Sequence, residues 1–261
     1  MARLCNKTQI LKVRSYLNRA EYLVDKLGIV PRLPYLYTFD TLGLALVSKV
    51  LALSKACVKL VALNFPDEAF GLSRSIVECA TILRYLTAEP AVQDRRSRDF
   101  AKFAMADKAF WAHYALKHSI GTDKEFEIRR YMEQEGIVAD TKPARRHWSD
   151  EEGFVWKASL LDHPLDGTRT EMHRKAEYAV NYYYASQFVH CSSLAIDSYC
   201  PDEATPFCVA PSSGLRKTGN STLFAVTVSA HSSIGYALFG MNIDFPHKLN
   251  ASCQRTLEIL V

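Results

Sequence analysis

Two stretches set polar, chemically useful side chains inside otherwise apolar sequence. The first, "YYYASQFVHCSSLAIDS" at 182–198, carries no charge before Asp197. On a helix, Tyr183, Ser186 and His190 fall at i, i+3 and i+7, which puts them on one face over two turns. The second, "AFGLSRSIVECATIL" at 69–83, carries two charges, Arg74 and Glu78. They stand one turn apart at i,i+4, flanked by Leu72, Ile76, Ala80 and Leu83. A helix apolar on most sides is buried, and buried ions must be paired and hydrogen-bonded to offset their desolvation. If the two helices face each other, Arg74, Glu78, Tyr183, Ser186 and His190 converge. A carboxylate beside an imidazole orients it and raises its pKa, which is the arrangement for acid–base work. The same contacts also describe a structural ion pair that fixes helix register beside a hydrogen-bonded core histidine. Both readings stay open at this point.

Several chemistries are excluded by spacing. His190 and Asp197 are seven residues apart on one helix, roughly 10 Å along its axis, so Ser186, His190 and Asp197 cannot form a triad whose members must touch. His113 and His118, at i,i+5, do not share a metal-facing stripe. His147 sits in the basic loop "PARRHW", His163 and His173 flank a turn, and His231 lies in an apolar helix where burial is expected. No HExxH or Cys/His zinc spacing occurs, so no metal is expected. The absence of GxxxxGK[ST], GxGxxG and GxSxG argues against a nucleotide cofactor and an α/β hydrolase. No cofactor of any kind is indicated. The seven cysteines are odd in number with no CxxC pair, which predicts reduced thiols and a cytosolic setting. A net charge of +4 is mild, and the densest basic run, "DRRSRDFAK", brings its own carboxylates. It reads as a solvated helix face with no strong nucleic-acid signature.

The elements that must position these residues are helical. Apolar periodicity predicts helices over 3–28, 35–63 and 66–88, with Pro66, Asp67 and Glu68 suited to a helix N-terminus. Further helices are predicted at 91–119, 123–135, after a Ser149/Glu152 capping box, and at 171–198, 221–242 and 246–260. The segment 162–170 reads as a turn, and 199–220 as a long irregular loop. The uncharged run 221–243 is long enough to span a membrane. It holds His231 and many hydroxyls without flanking cations, so a buried central helix is predicted and no membrane span. With no strand pattern and no repeat, residues 1–261 read as one all-α bundle of about eight helices.

The pairing of "AFGLSRSIVECATILRYL" with "YYYASQFVHCSS" resembles an uncharacterised, all-helical, mainly bacterial domain-of-unknown-function family. Its members show an Arg-x-x-x-Glu helix followed about a hundred residues later by a Tyr-x-x-Ser-x-x-x-His helix. The resemblance covers roughly residues 20–240 and implies a helical fold with recurrent polar positions at Arg74, Glu78, Tyr183, Ser186 and His190. Helical ribonucleases of the HEPN type use an Arg-x(4–6)-His motif, which no histidine here satisfies; Arg169 is one residue too close to His173. The expectation is therefore a cytosolic binding or effector module with an internal polar site, of a kind used in bacterial defence or stress response. Its competitors are a HEPN-like ribonuclease or other hydrolase using His190 with Glu78, and a purely structural or oligomerisation protein. The ligand or protein partner is not specified by the sequence, and homo-oligomerisation stays open.

Overall fold

The computed structural model describes residues 7–27, 38–102, 130, 133, 154–167, 170–189 and 218–261. Among them are eight α-helices, part of a further helix at 93–102, and no strand, so the chain is an all-α multi-helix bundle. We number the helices α1 (Lys7–Lys26), α2 (Phe39–Ala62), α3 (Pro66–Thr87), α4 (Phe154–Leu160), α5 (Glu171–Tyr178), α6 (Ala185–Val189), α7 (Thr218–Gly240) and α8 (His247–Leu260). A π-helical segment, Ala179–Tyr184, joins α5 to α6. Short 3-10 turns stand at Pro90–Val92 and Pro164–Asp166.

Chain breaks follow the local chemistry. Asn64 takes φ 65° after α2, and Phe65 N–H donates to Leu60 C=O at 2.9 Å while Asn64 N–H donates to Val61 C=O at 3.2 Å. That is a Schellman closure with asparagine in the left-handed position. Asn242, at φ 55°, ends α7 the same way, through Ile243 N–H to Leu238 C=O and Asn242 N–H to Phe239 C=O. In both cases a proline follows shortly and starts the next helix, Pro66 for α3 and Pro246 for α8. Pro66 with Asp67 and Glu68 opens α3 as the sequence predicts. The capping box expected at Ser149 lies outside the described residues. A capping box does form at Thr170, whose hydroxyl accepts from His173 N–H while His173 Nδ1 accepts from Thr170 N–H.

Three helices, α2, α3 and α7, pack on one another at the centre. Helix α1 lies against α2, and α8 against α1 and α7. The other flank of α3 is covered by α4, α6 and the π segment. Val13, Val50, Ile76, Leu83, Leu223 and Ile234 are buried in one continuous core. Among the described residues, α7 is the one helix long and apolar enough to cross a membrane by length and composition. In this fold it lies against α2 and α3, with Leu223, Val226 and Ala230 fully buried. Two of its buried hydroxyls are met inside the helix, Thr227 donating to Leu223 C=O and Ser233 to Ser229 C=O, each at 2.7 Å, and Thr222 donates to Pro66 C=O at 3.4 Å. Back-bonding to i−4 lets a polar side chain be buried without an orphaned group.

Some boundaries differ from expectation. Helix α7 begins at Thr218, so the last residues assigned to the 199–220 loop are helical. The helix expected over 171–198 is not uniform, because its 179–184 stretch is π-helical. The helix after Pro90 is seen at 93–102, and its continuation lies outside the described residues.

The close approach of α7 to α2 and α3 depends on Gly240. A Cβ there would stand 2.6 Å from Phe39 Cζ and 2.7 Å from Thr87 Cγ2, and both of those side chains are buried. Gly240→Ala is therefore expected to lower unfolding stability by roughly 1–3 kcal/mol through overpacking. Urea denaturation measures this, and an unchanged midpoint would contradict the packing described.

Candidate functional site

The predicted stripe is rearranged by the π segment. A π turn hydrogen-bonds i→i+5, so the α-helical face rule does not carry across 179–184. Tyr183 is turned outward and is 62% exposed. Its neighbour Tyr182 takes the contact instead: Arg74 Nη2 donates to Tyr182 Oη at 3.0 Å, with the guanidinium 5.0 Å from the ring centroid. Tyr182 also stacks on Tyr178, centroids 5.2 Å apart. Ser186 donates to Tyr182 C=O at 2.9 Å and so serves its own helix. Glu78 is half-buried and makes no ion pair with Arg74. His190 lies outside the described residues. Arg74 and Ser186 thus both meet Tyr182, and Tyr183 points elsewhere.

A different polar centre forms one turn from the end of α3. Arg84 and Asp166 have side chains only 6% exposed, and they form a two-pronged ion pair, Nη1 to Oδ1 at 2.9 Å and Nη2 to Oδ2. Arg84 also donates from Nη1 to Tyr236 Oη at 2.9 Å, and from Nε, at 3.1 Å, and Nη2 to Leu161 C=O. A guanidinium has five N–H donors, and these five contacts use them all. Leu161 follows the last residue of α4, so Arg84 supplies the donor that the end of that helix lacks. Burial alone would lower the arginine pKa, but Tyr236 and Asp166 more than reverse this and raise it. Asp166 is further held by Arg174 Nη1 at 3.7 Å, while Arg174 Nη2 donates to the exposed Asp162 at 2.6 Å.

His163 completes this centre. Its Nδ1 accepts from Leu165 N–H at 3.1 Å, so the ring proton belongs on Nε2. Nε2 stands 3.0 Å from Thr87 Oγ1, and Thr87 passes its own proton to Leu83 C=O at 2.8 Å. Tyr236 and Phe239 meet the ring edge-on at 4.6 and 5.1 Å. Burial first, and then the Arg84 charge, bring the His163 pKa from its ordinary 6.5 down to about 4, against a smaller pull from Asp166. A proton on Nδ1 would break the bond from Leu165, so the neutral ring is the one this network fits.

The network forms a wall between two cavities that share Ser232 and Tyr236. One is a small space of about 50 Å³ where Arg84, Arg174, Ser159 and Asn181 meet Val77 and Ala80. The other is a cleft of about 720 Å³ between α7, α8 and the Pro164–Asp166 turn. Phe224, Phe239, Phe245, Ile243 and Leu257 give it apolar sides, and Asp166, His231, Asp244 and Asn250 give it polar points. His231 Nδ1 lies 3.0 Å from the hydroxyl of Tyr16, which is fully buried. Burial lowers the His231 pKa, partly opposed by Asn250, and burial with Cys253 raises that of Tyr16. Burial likewise raises the Cys253 thiol to about 11, despite its bond to Tyr16. At neutral pH the phenol, thiol and imidazole are therefore all uncharged.

The sequence offered a signal for Arg84 that the 69–83 window stopped short of. Arg84 lies four residues after Ala80 and eight after Ile76, both buried, so it places a charge on an apolar face. Asp166 and His163 carried no comparable mark, because a turn residue gains importance only from what it faces.

Arg84→Ala would leave Asp166 buried and unpaired, and is expected to cost about 3–5 kcal/mol in chemical denaturation. Arg84→Lys should recover only part, since an ammonium cannot bridge three acceptors in a plane. A full recovery by lysine would argue against the five-donor geometry. A second outcome concerns pH. The unfolded chain takes up a proton at His163 near 6.5, whereas the folded chain resists until about 4. Stability is then complete above pH 6.5 and falls as pH drops through that window, by about 3 kcal/mol from this group. His163→Gln should flatten that fall, with a residue of slope left from His231.

Comparison with curated proteins and with solved structures finds no match. A family model does match, over residues 40–205, a narrower stretch than the 20–240 of the resemblance. That stretch holds Arg84, His163, Asp166, Arg174 and Tyr182, while Tyr236 and the α7–α8 side of the cleft lie beyond it. The chain belongs to DUF5677, a family of unknown function.

Proposed function

We propose that this chain is a helical binding module that holds a small, largely apolar ligand in the α7–α8 cleft. The carrying observation is the cleft itself. Its volume of about 720 Å³ falls within the roughly 300–1,000 Å³ typical of small-molecule sites. Apolar walls with a few convergent polar groups are also what such sites show. The Arg84–Asp166 centre serves as its rigid wall, since every donor of Arg84 is already used by the protein. The free, buried thiols of Cys57, Cys79 and Cys253 fit a reducing, cytosolic setting for this module. A hydrolase built on His190 with Glu78 draws no support from the described residues, where Glu78 makes no ion pair with Arg74.

Gly235 provides the test. A Cβ on Gly235 would sit 3.7 Å from Leu165 Cδ1 and 3.8 Å from Phe245 Cε2, in ordinary contact at the cleft wall. Gly235→Leu therefore projects atoms into the space, whereas Gly235→Ala is accommodated. Saturable binding of indole, read by calorimetry, is expected for the native chain and the alanine variant. It should be lost in the leucine variant at unchanged circular dichroism. Equal binding by all three would place the ligand elsewhere, and no binding by the native chain would refute the reading.

A further inference from the structure

We infer that the cleft selects organic cations, namely amines carried on an aromatic body. This rests on the binding reading above and names the ligand class. Asp166 lines the cleft, but its carboxylate is consumed by Arg84 on both oxygens and by Arg174. His231 lines it as a neutral ring, tied through Nδ1 to Tyr16. Asp244 also lines it, is exposed, and forms no ion pair among the described residues. Among the described residues, no lysine or arginine is part of the lining. The neighbours of Asp244 on α8, His247 and Lys248, are exposed and stand outside it. Among the described residues the lining thus carries one carboxylate outside any ion pair together with the rings of Phe224, Phe239 and Phe245, whereas Tyr236 already has the Arg84 guanidinium 5.8 Å from its ring centroid.

An ammonium group suits both features. It pairs with the carboxylate, and the negative faces of aromatic rings attract it as well. A carboxylate ligand would face Asp244 with no cation to offset the repulsion. A neutral ligand would gain the apolar contact alone. Asp244 is exposed, so water screens its contribution, and the preference for a cation over its neutral analogue is expected to be about three- to tenfold.

A matched set of tryptamine, tryptophol and indole-3-acetate separates these contributions. Isothermal titration of the native chain in low salt should rank the amine first, the alcohol second and the acid last. Added salt should erode the amine's advantage and leave the alcohol unchanged. Asp244→Asn should remove most of tryptamine's advantage over tryptophol, leaving the share owed to the rings, and tryptophol itself should be unaffected. Equal binding of amine and alcohol by the native chain, or an amine preference undiminished by Asp244→Asn, would overturn the cation inference while leaving the cleft as a binding site. Binding of none of the three would remove the binding reading and this inference together.

Discussion

The fold's central constraint is the guanidinium of Arg84. Its five N–H groups reach a carbonyl at the end of α4, a carboxylate in the following turn and a phenol on α7. One planar group thus joins three separate parts of the chain to α3. The arrangement is all-or-none in the energetic sense. A buried guanidinium is tolerable because every donor is met, and a buried Asp166 because its charge is met. Each partner makes the burial of the others possible, so the set specifies where the 161–166 segment must lie. The position of Arg84 in the last turn of α3 adds a favourable interaction with the carbonyl end of that helix. Lysine has neither the number of donors nor the planar fork to do this.

The centre of the bundle solves a second problem, burial of a helix rich in hydroxyl groups. Helix α7 has the length and composition of a membrane span, yet Thr227 and Ser233 bond back to their own helix and present an apolar outer surface. With these two groups satisfied within the helix, and Thr222 and Tyr236 bonded to Pro66 C=O and Arg84 of α3, the helix can pack against α2 and α3. Gly240 then brings the end of α7 against the ring of Phe39. The same helix turns Ser232, Gly235 and Tyr236 towards the cleft, so one element supplies both core and site.

How far the sequence revealed this depends on what each feature rests on. Helices α2, α3, α7 and α8 were legible because their apolar periodicity and their breakers are local. Asn64 before Pro66, and Asn242 before Pro246, mark their own chain reversals. The Tyr183–Ser186–His190 stripe rested on a period of 3.6 residues, which the 179–184 π segment does not keep. The pairing of Arg74 with Tyr182 was therefore out of reach of face counting, although Arg74 itself stands out in the sequence as a charge among apolar residues. Arg84 was a charge on a buried face and could have been read as one. Asp166 and His163 were not legible, since "DHPLDGTRT" is an ordinary turn until Arg84 and Thr87 are brought against it. Their meaning is tertiary.

Two neutral histidines near this cleft differ in a way that bears on function. His163 is closed on both nitrogens by Leu165 and by Thr87, and a ligand could reach it only by breaking buried bonds. His231 is fixed on one side by buried Tyr16, while the group beside it on the other side, Asn250, is exposed and lines the cleft. An incoming ligand can compete with Asn250 without disturbing the core. The two rings therefore divide the work, His163 completing the wall and His231 presenting an adaptable polar point. That division also follows the chain. The wall residues Leu165 and Asp166 come from the stretch that matches the family, and the floor comes from α7 and α8 beyond it. Tyr236 is where they join, because its hydroxyl is held by Arg84 and its side chain lines the cleft. A ligand that contacts Tyr236 is consequently coupled, through one hydrogen bond, to the guanidinium that fixes the 161–166 segment.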